Sequence, residues 1–257
     1  MSVAYINGVK LNYEVAGQGE AIVFLHGMMG STESWTNQFA ALSSNYRVIA
    51  LDNRGHGKSS SPATEDEYSI EIFANDVCGL LKWLNIKKCC LGGHSFGGYV
   101  ALQFAVEQPD MLAALVLVDT AGEQIARPPD YAQLRQKLEE LARSQGIDAA
   151  LEYEAANNPV RIVRQRKPAI SVDGYIYVPR AFGKWQGVTS QLSEIKVPTI
   201  IFRGEEDLRF VEAVQTLNNG IAGSELITVK GAGHTPHEEA PDVFNRELLR
   251  FLDRVKW

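Results

Sequence analysis

The stretch from Cys89 to Val100 constrains this chain more than any other, because a serine stands in it between two pairs of glycines, Gly92-Gly93-His94-Ser95-Phe96-Gly97-Gly98. The pattern Gly93-x-Ser95-x-Gly97 encodes a buried strand that turns sharply into a helix and leaves the serine at the apex in a strained backbone conformation. The glycines stand where a Cβ would collide. Lys88-Cys89-Cys90-Leu91 suits a buried strand, and Tyr99-Val100-Ala101-Leu102-Gln103-Phe104-Ala105 continues as a helix, so the context on both sides agrees with the turn.

The rest of the chain repeats this strand-then-helix rhythm. Ala4-Tyr5-Ile6, the turn signal Asn7-Gly8 and Val9 to Val15 predict an antiparallel hairpin. Ala21-Ile22-Val23-Phe24-Leu25 is a continuous apolar run, as expected of a strand covered on both faces, and His26-Gly27-Met28-Met29-Gly30-Ser31 follows it at once. A helix over 35–42, the strand Tyr46 to Leu51 and a helix over 69–84 lead to the serine turn. The last of these carries Ile72, Phe73, Val77, Leu80, Leu81 and Leu84 at helical spacing. Ala113 to Val118 is a sixth strand, closed by Asp119-Thr120. Val197 to Phe202 and Leu226 to Val229 are a seventh and an eighth, each leading into a helix, near 210–218 and 241–255. Strands alternating with helices predict an α/β fold with a mostly parallel eight-stranded sheet and helices on both faces, whose ligand loops gather at the carboxyl ends of the strands.

Between Gly122 and Leu192 the rhythm stops, and the sequence turns polar and aromatic. The expected organisation is therefore a core of residues 1–121 and 193–257 with a cap insertion, 122–192, after the sixth strand. The insertion holds ten Lys and Arg against eight Asp and Glu in a chain whose net charge is −6. Its cationic cluster is Arg161, Arg164, Arg166 and Lys167.

The acidic balance argues against a nucleic-acid partner and for a small soluble ligand. An odd number of cysteines, Cys78, Cys89 and Cys90, does not make a disulfide framework. No window approaches ~18 uninterrupted apolar residues, and the N-terminus has no basic region followed by an apolar stretch. A soluble cytoplasmic protein, monomeric or homodimeric, with no membrane association, is expected. The first βαβ unit opens without Gly-x-Gly-x-x-Gly, there is no Walker A sequence, and no cluster has metal-ligand spacing, so neither cofactor nor metal is expected.

Taken together, His26-Gly27, Asp52-x-Arg54-Gly55-His56-Gly57-x-Ser59, Gly93-His94-Ser95-Phe96-Gly97-Gly98, Gly204-x-x-Asp207 and Gly233-His234 resemble the α/β-hydrolase fold family, specifically its small esterase, lactonase and haloperoxidase-like members. The resemblance spans nearly the whole chain, and the order Ser, Asp, His matches what that fold requires. Serine rather than aspartate at the turn argues against an epoxide hydrolase or dehalogenase.

Acyl transfer needs a base within ~3 Å of the serine hydroxyl and a third group to hold that base in one tautomer. His234, in a glycine-rich loop after the last strand, is the expected base. His26, His56, His94 and His237 are expected to be structural. Two aspartates compete for the acid, since Asp119 closes the sixth strand and Asp207 follows the seventh; the resemblance favours Asp207. The oxyanion of a tetrahedral intermediate is expected to meet the backbone amide of Phe96 at a helix N-terminus and, by resemblance, that of Met28. Met29, Arg161, Arg164 and Trp185 are expected to contact substrate. These expectations describe a serine hydrolase for a small ester, lactone or thioester. The alternatives are a carbon–carbon bond hydrolase or lyase using the same three residues, or a ligand-sensing signalling protein with slow turnover.

Overall fold

The computed structural model describes residues 2–157 and 167–257. Eight strands form one sheet: β1 (Ser2–Ile6), β2 (Val9–Ala16), β3 (Ala21–Leu25), β4 (Arg47–Leu51), β5 (Cys89–His94), β6 (Leu112–Val118), β7 (Thr199–Gly204) and β8 (Glu225–Val229), in the order β1-β2-β4-β3-β5-β6-β7-β8. The hairpin β1-β2 and the β2-β4 pair are antiparallel, and every other pairing is parallel. β3, β5 and β6 are buried along their whole length, as continuous apolar runs between two layers of helices must be.

The helices are α1 (Thr36–Leu42), α2 (Ile70–Trp83), α3 (Phe96–Glu107), α4 (Tyr131–Gln145), α5 (Ile147–Asn157), α6 (Val172–Lys184), α7 (Val211–Gly220), α8 (Pro236–Glu239) and α9 (Pro241–Leu252). α2, α3 and α7 cover one face of the sheet, sharing a core with Phe73, Phe96, Phe104 and Leu217. α1 and α9 cover the other through Leu42, Phe244, Leu248 and Phe251. α2 shows why these segments fold as they do. Ser69 caps it by accepting from the Ile72 amide, and its apolar stripe, Ile70, Phe73, Val77, Leu80 and Leu81, is wholly buried. Truncating Phe73 to Ala would cost about 3–5 kcal/mol.

The polar stretch after β6 supplies α4, α5 and α6. Leu138, Ala142, Ala150, Tyr175 and Ile176 pack there on Met29 of the loop after β3. α6 also reaches the main core, where Val178 and Ala181 are buried. The loop after β4 holds this layer in place. Gly57 N–H donates to the Ala169 carbonyl at 2.8 Å, Ser171 N–H to Gly55 at 2.9 Å, and Ala169 N–H to Met29 at 2.8 Å. The loop itself is rigid, because the Asp52 carboxylate accepts from Thr32 N–H at 2.7 Å, Asn12 Nδ2 at 2.8 Å and Lys58 N–H at 2.9 Å. Arg54 forks onto Asp76 of α2 at 2.8 Å through two donors, both side chains buried. Breaking such a buried pair from one side costs about 3–5 kcal/mol. The motif Asp52 to Ser59 is thus a bracket between the sheet and the helices above it. Among the described residues, no helix is long and apolar enough to cross a membrane.

Candidate active site

Ser95 sits between β5 and α3 with φ 50° and ψ −112°. From Leu91 to Val100 it is the one residue that is not buried. A Cβ at Gly93 would overlap the backbone at Gly97, and one at Gly97 would overlap the Leu25 carbonyl, so neither position tolerates a side chain. The end of β6 locks the turn from outside. Ser95 N–H donates to the Val118 carbonyl at 2.8 Å, and Thr120 Oγ1 donates to the Ser95 carbonyl at 2.8 Å.

His234 lies in the loop after β8, and its Nδ1 is 2.5 Å from Asp207 Oδ2 in the loop after β7. A carboxylate only accepts, so Nδ1–H donates to it, and in a neutral ring Nε2 is the nitrogen left with a lone pair. Phe210 stacks on the His234 ring at 5.2 Å and 21°. His94 Nε2–H donates to the His234 carbonyl at 2.7 Å, fixing that loop from below. His26 is tied between its own loop and the next, Nδ1–H donating to Gly27 O at 2.8 Å and Nε2 accepting from Asn53 N–H at 3.1 Å. Burial pushes the pKa values of His26, His56 and His94 down, so these rings are neutral parts of the frame.

Asp207 and Asp119 face each other at the ends of adjacent strands. Asp207 is 2% exposed at its side chain and accepts a two-pronged ion pair from Arg209, Nε to Oδ1 at 2.9 Å and Nη2 to Oδ2 at 3.0 Å. Burial alone would raise its pKa, but the hydrogen bonds from His234 and Arg209 outweigh it and hold the carboxyl down at about 2. Among the described residues, Asp119 accepts only from Gly204 N–H at 3.0 Å, and its Oδ1 is buried without a partner. Burial, with the charge of Asp207 nearby, pushes its pKa well above the usual carboxylate range. Asp119, Asp207 and His234 are the one group among the described residues compact enough for a metal ion, with ligand atoms within 4.8 Å of one another. A cation there would have to displace a guanidinium already seated on Asp207, so the donor set suits an internal relay better than a metal. The cysteines are no rival nucleophiles. All three are buried and unpaired, and burial raises the Cys89 thiol to about 12.

Ser95, His234, Met28, Met29 and Phe96 line one cavity of about 900 Å3, which residues of α4, α5 and α6 and the segment preceding α4 also line. Its walls are mainly apolar, with Tyr99, Ile125, Phe182 and Phe210 prominent. Met29 holds φ 66° in the loop that ends in the Gly30 N–H to Gly27 carbonyl turn, 3.0 Å. Trp185, expected to contact substrate, is not among the residues that line this cavity. It lies behind the cavity wall, 5.2 Å from the Tyr99 ring and 4% exposed, with its indole N–H donating to Gln103 Oε1 at 2.7 Å. Just past the end of α6 the indole packs on Tyr99 and Gln103 of α3, and that packing decides its direction. Arg161, Arg164 and Arg166 lie outside the described residues. Instead, Arg127, Arg135 and Arg209 reach the wall. Arg209 was not singled out from sequence, although a guanidine two residues after an acid in a strand-end loop is the signal that finds it.

The α/β-hydrolase family model matches residues 20–142. A putative carbamate hydrolase of Variovorax paradoxus is 31% identical, over 96% of this chain and 97% of its own length. A putative 2-succinyl-6-hydroxy-2,4-cyclohexadiene-1-carboxylate synthase of Bacillus subtilis is 28% identical over 99% of both chains. Among solved structures, the enol-lactonase of Burkholderia xenovorans superposes with a TM-score of 0.84 at 27% identity, covering 98% of this chain and 100% of its own.

Proposed function

Because this chain belongs to the α/β-hydrolase fold family and is a hydrolase of that class, we propose that it cleaves a small carboxylic ester, lactone or thioester through an acyl-enzyme on Ser95. The hydrogen bond of 2.5 Å from His234 Nδ1 to Asp207 carries this reading, because it prepares a base on the same cavity that receives the strained serine. In the first half-reaction Ser95 Oγ attacks the acyl carbon while its proton passes to His234 Nε2, and the imidazolium returns that proton to the leaving oxygen or sulfur. Water then repeats the sequence on the acyl-enzyme, releasing the acid and the free serine. The tetrahedral oxyanion of each step is assigned to the backbone amides of Met28 and Phe96, the latter at the N-terminus of α3 where the helix dipole also favours negative charge. Residues 122–192 act as a cap, and the mainly apolar walls favour an acyl group with a hydrocarbon body.

The test pairs a fluorophosphonate probe with a substrate panel. Wild type is expected to be labelled and to turn over p-nitrophenyl esters repeatedly, and Ser95→Ala to do neither. Labelling that persists in Ser95→Ala would remove Ser95 from the role. A burst of one equivalent without further turnover would favour the sensor reading. Turnover confined to vinylogous diketones would favour carbon–carbon cleavage.

A further inference from the structure

We infer that Arg209 is a positioning residue of this site, its guanidinium fork fixing the plane of the Asp207 carboxylate and, through it, the orientation and charge of the pair that Asp207 forms with His234. The inference rests on the proposed roles of Asp207 and His234.

Both prongs come from a residue only two positions away, across the tight turn 208–210 that follows β7. One prong lands on Oδ1 at 2.9 Å. The other shares Oδ2 with His234, at 3.0 Å against 2.5 Å. Without Arg209, Oδ1 would have no donor among the described contacts and the carboxylate would be free to rotate, carrying Oδ2 away from the imidazole. A planar fork resists that rotation in a way a point charge does not. The neighbouring residue completes the arrangement. The Arg209 guanidinium lies 5.6 Å over the Phe210 ring, and Phe210 stacks on His234, so one turn supplies the group that orients the acid and the surface that orients the base.

The same cation also sets the charge that His234 meets. A lone carboxylate beside an imidazole favours its protonated form, and a guanidinium on the carboxylate opposes that. The other groups facing His234 are shared by wild type and variants. Asp119 approaches from the end of β6 and His94 from β5, its ring 4.8 Å away. His237 of α8 packs on His94. Glu239 accepts from the Gly233 and Thr235 amides on either side, and Glu238 reaches the cavity wall. Arg209 is 31% exposed at its side chain and lines the cavity, so it can be changed without opening the core.

The experiment compares Arg209→Lys and Arg209→Met with wild type on one neutral and one anionic p-nitrophenyl ester from pH 5.5 to 9, after thermal melts show that both fold. Arg209→Met is expected to lose about tenfold to a hundredfold in kcat with little change in KM. Its activity at pH 8 relative to pH 6 should rise about threefold, because the base is protonated more readily. Arg209→Lys should keep the wild-type pH profile and still lose kcat, since it restores charge and not the fork. A rise in KM restricted to the anionic ester, with the pH profile unmoved, would make Arg209 a substrate contact and overturn the inference. Wild-type kcat in both variants would overturn it as well. If Arg209→Met does not fold, Arg209→Lys decides on kcat alone, a wild-type value overturning the fork. Ser95→Ala, run alongside, separates the two readings. Full turnover there sinks the serine hydrolase itself, whereas an inactive Ser95→Ala with silent Arg209 variants sinks only this inference.

Discussion

The ends of β6 and β7 each present an aspartate to the same histidine, and they differ in everything but burial. Asp207 is given a guanidinium and an imidazole, and it stays ionised with its carboxyl near 2. Asp119 is given one amide, at 3.0 Å, and is pushed toward the neutral acid. Desolvation acts on both. What separates them is whether donors replace the lost water, so in this molecule depth decides little and partners decide the charge.

The sharpest way to break that comparison is to neutralise each acid in turn. Asp207→Asn is expected to lower kcat by ~10⁴, because an amide can hold the imidazole in the wrong tautomer. Asp119→Asn should stay within about tenfold of wild type. Steady-state kinetics at pH 8, on variants first checked by circular dichroism, measures both, and the reverse ranking would move the acid to β6.

Stability sharpens the comparison from the other side. A carboxyl whose folded pKa is raised stabilises the fold fully below its unfolded pKa of about 3.9, and that stability is lost as pH rises toward the folded value. The Asn variant at 119 keeps an acceptor for Gly204 and has no proton to lose. Its Tm is therefore expected to exceed that of wild type at pH 8, by about 2–4 °C for each kcal/mol regained, and to converge with it at pH 4. An equal Tm at both pH values would mean that the fold does not raise the Asp119 pKa.

The buried histidines should shift stability with the opposite sign. The folded pKa values of His26, His56 and His94 are depressed by burial, so their stability is present above about pH 6.5 and is lost as pH falls toward the folded values. Thermal melts from pH 7.5 to 5 should show Tm falling in wild type and in Ser95→Ala alike, which marks the loss as one of the frame and not of catalysis.

Much of this architecture is readable before any coordinates. The turn at Ser95 is local at Gly93, where a Cβ would meet the backbone of Gly97 and Gly98 a few residues on, whereas the conflict at Gly97 is with Leu25 of the neighbouring strand. The buried runs of β3, β5 and β6 announce strands covered on both faces, and Ser95, Asp207 and His234 lie in chain order at strand ends. Helix limits move by a few residues at most, as at α7, which begins at Val211 and ends at Gly220. The bracket at Asp52 to Ser59 could be recognised as a motif, yet its three hydrogen bonds to the Asp52 carboxylate and its link to Ala169 and Ser171 join segments far apart in the chain.

Backbone strain, apolar runs and turn chemistry are written into neighbouring residues, and they suffice to establish an α/β sheet with a serine raised at the end of β5. The direction of the Trp185 indole and the protonation of Asp119 are written nowhere in such neighbourhoods. The first depends on which surface the end of α6 meets, and the second on the burial that comes when β6 and β7 pair. Arg209 lies between the two kinds of information. Its distance from Asp207 along the chain is two residues, but both prongs of its fork meet a carboxylate only after the turn beyond β7 closes against His234.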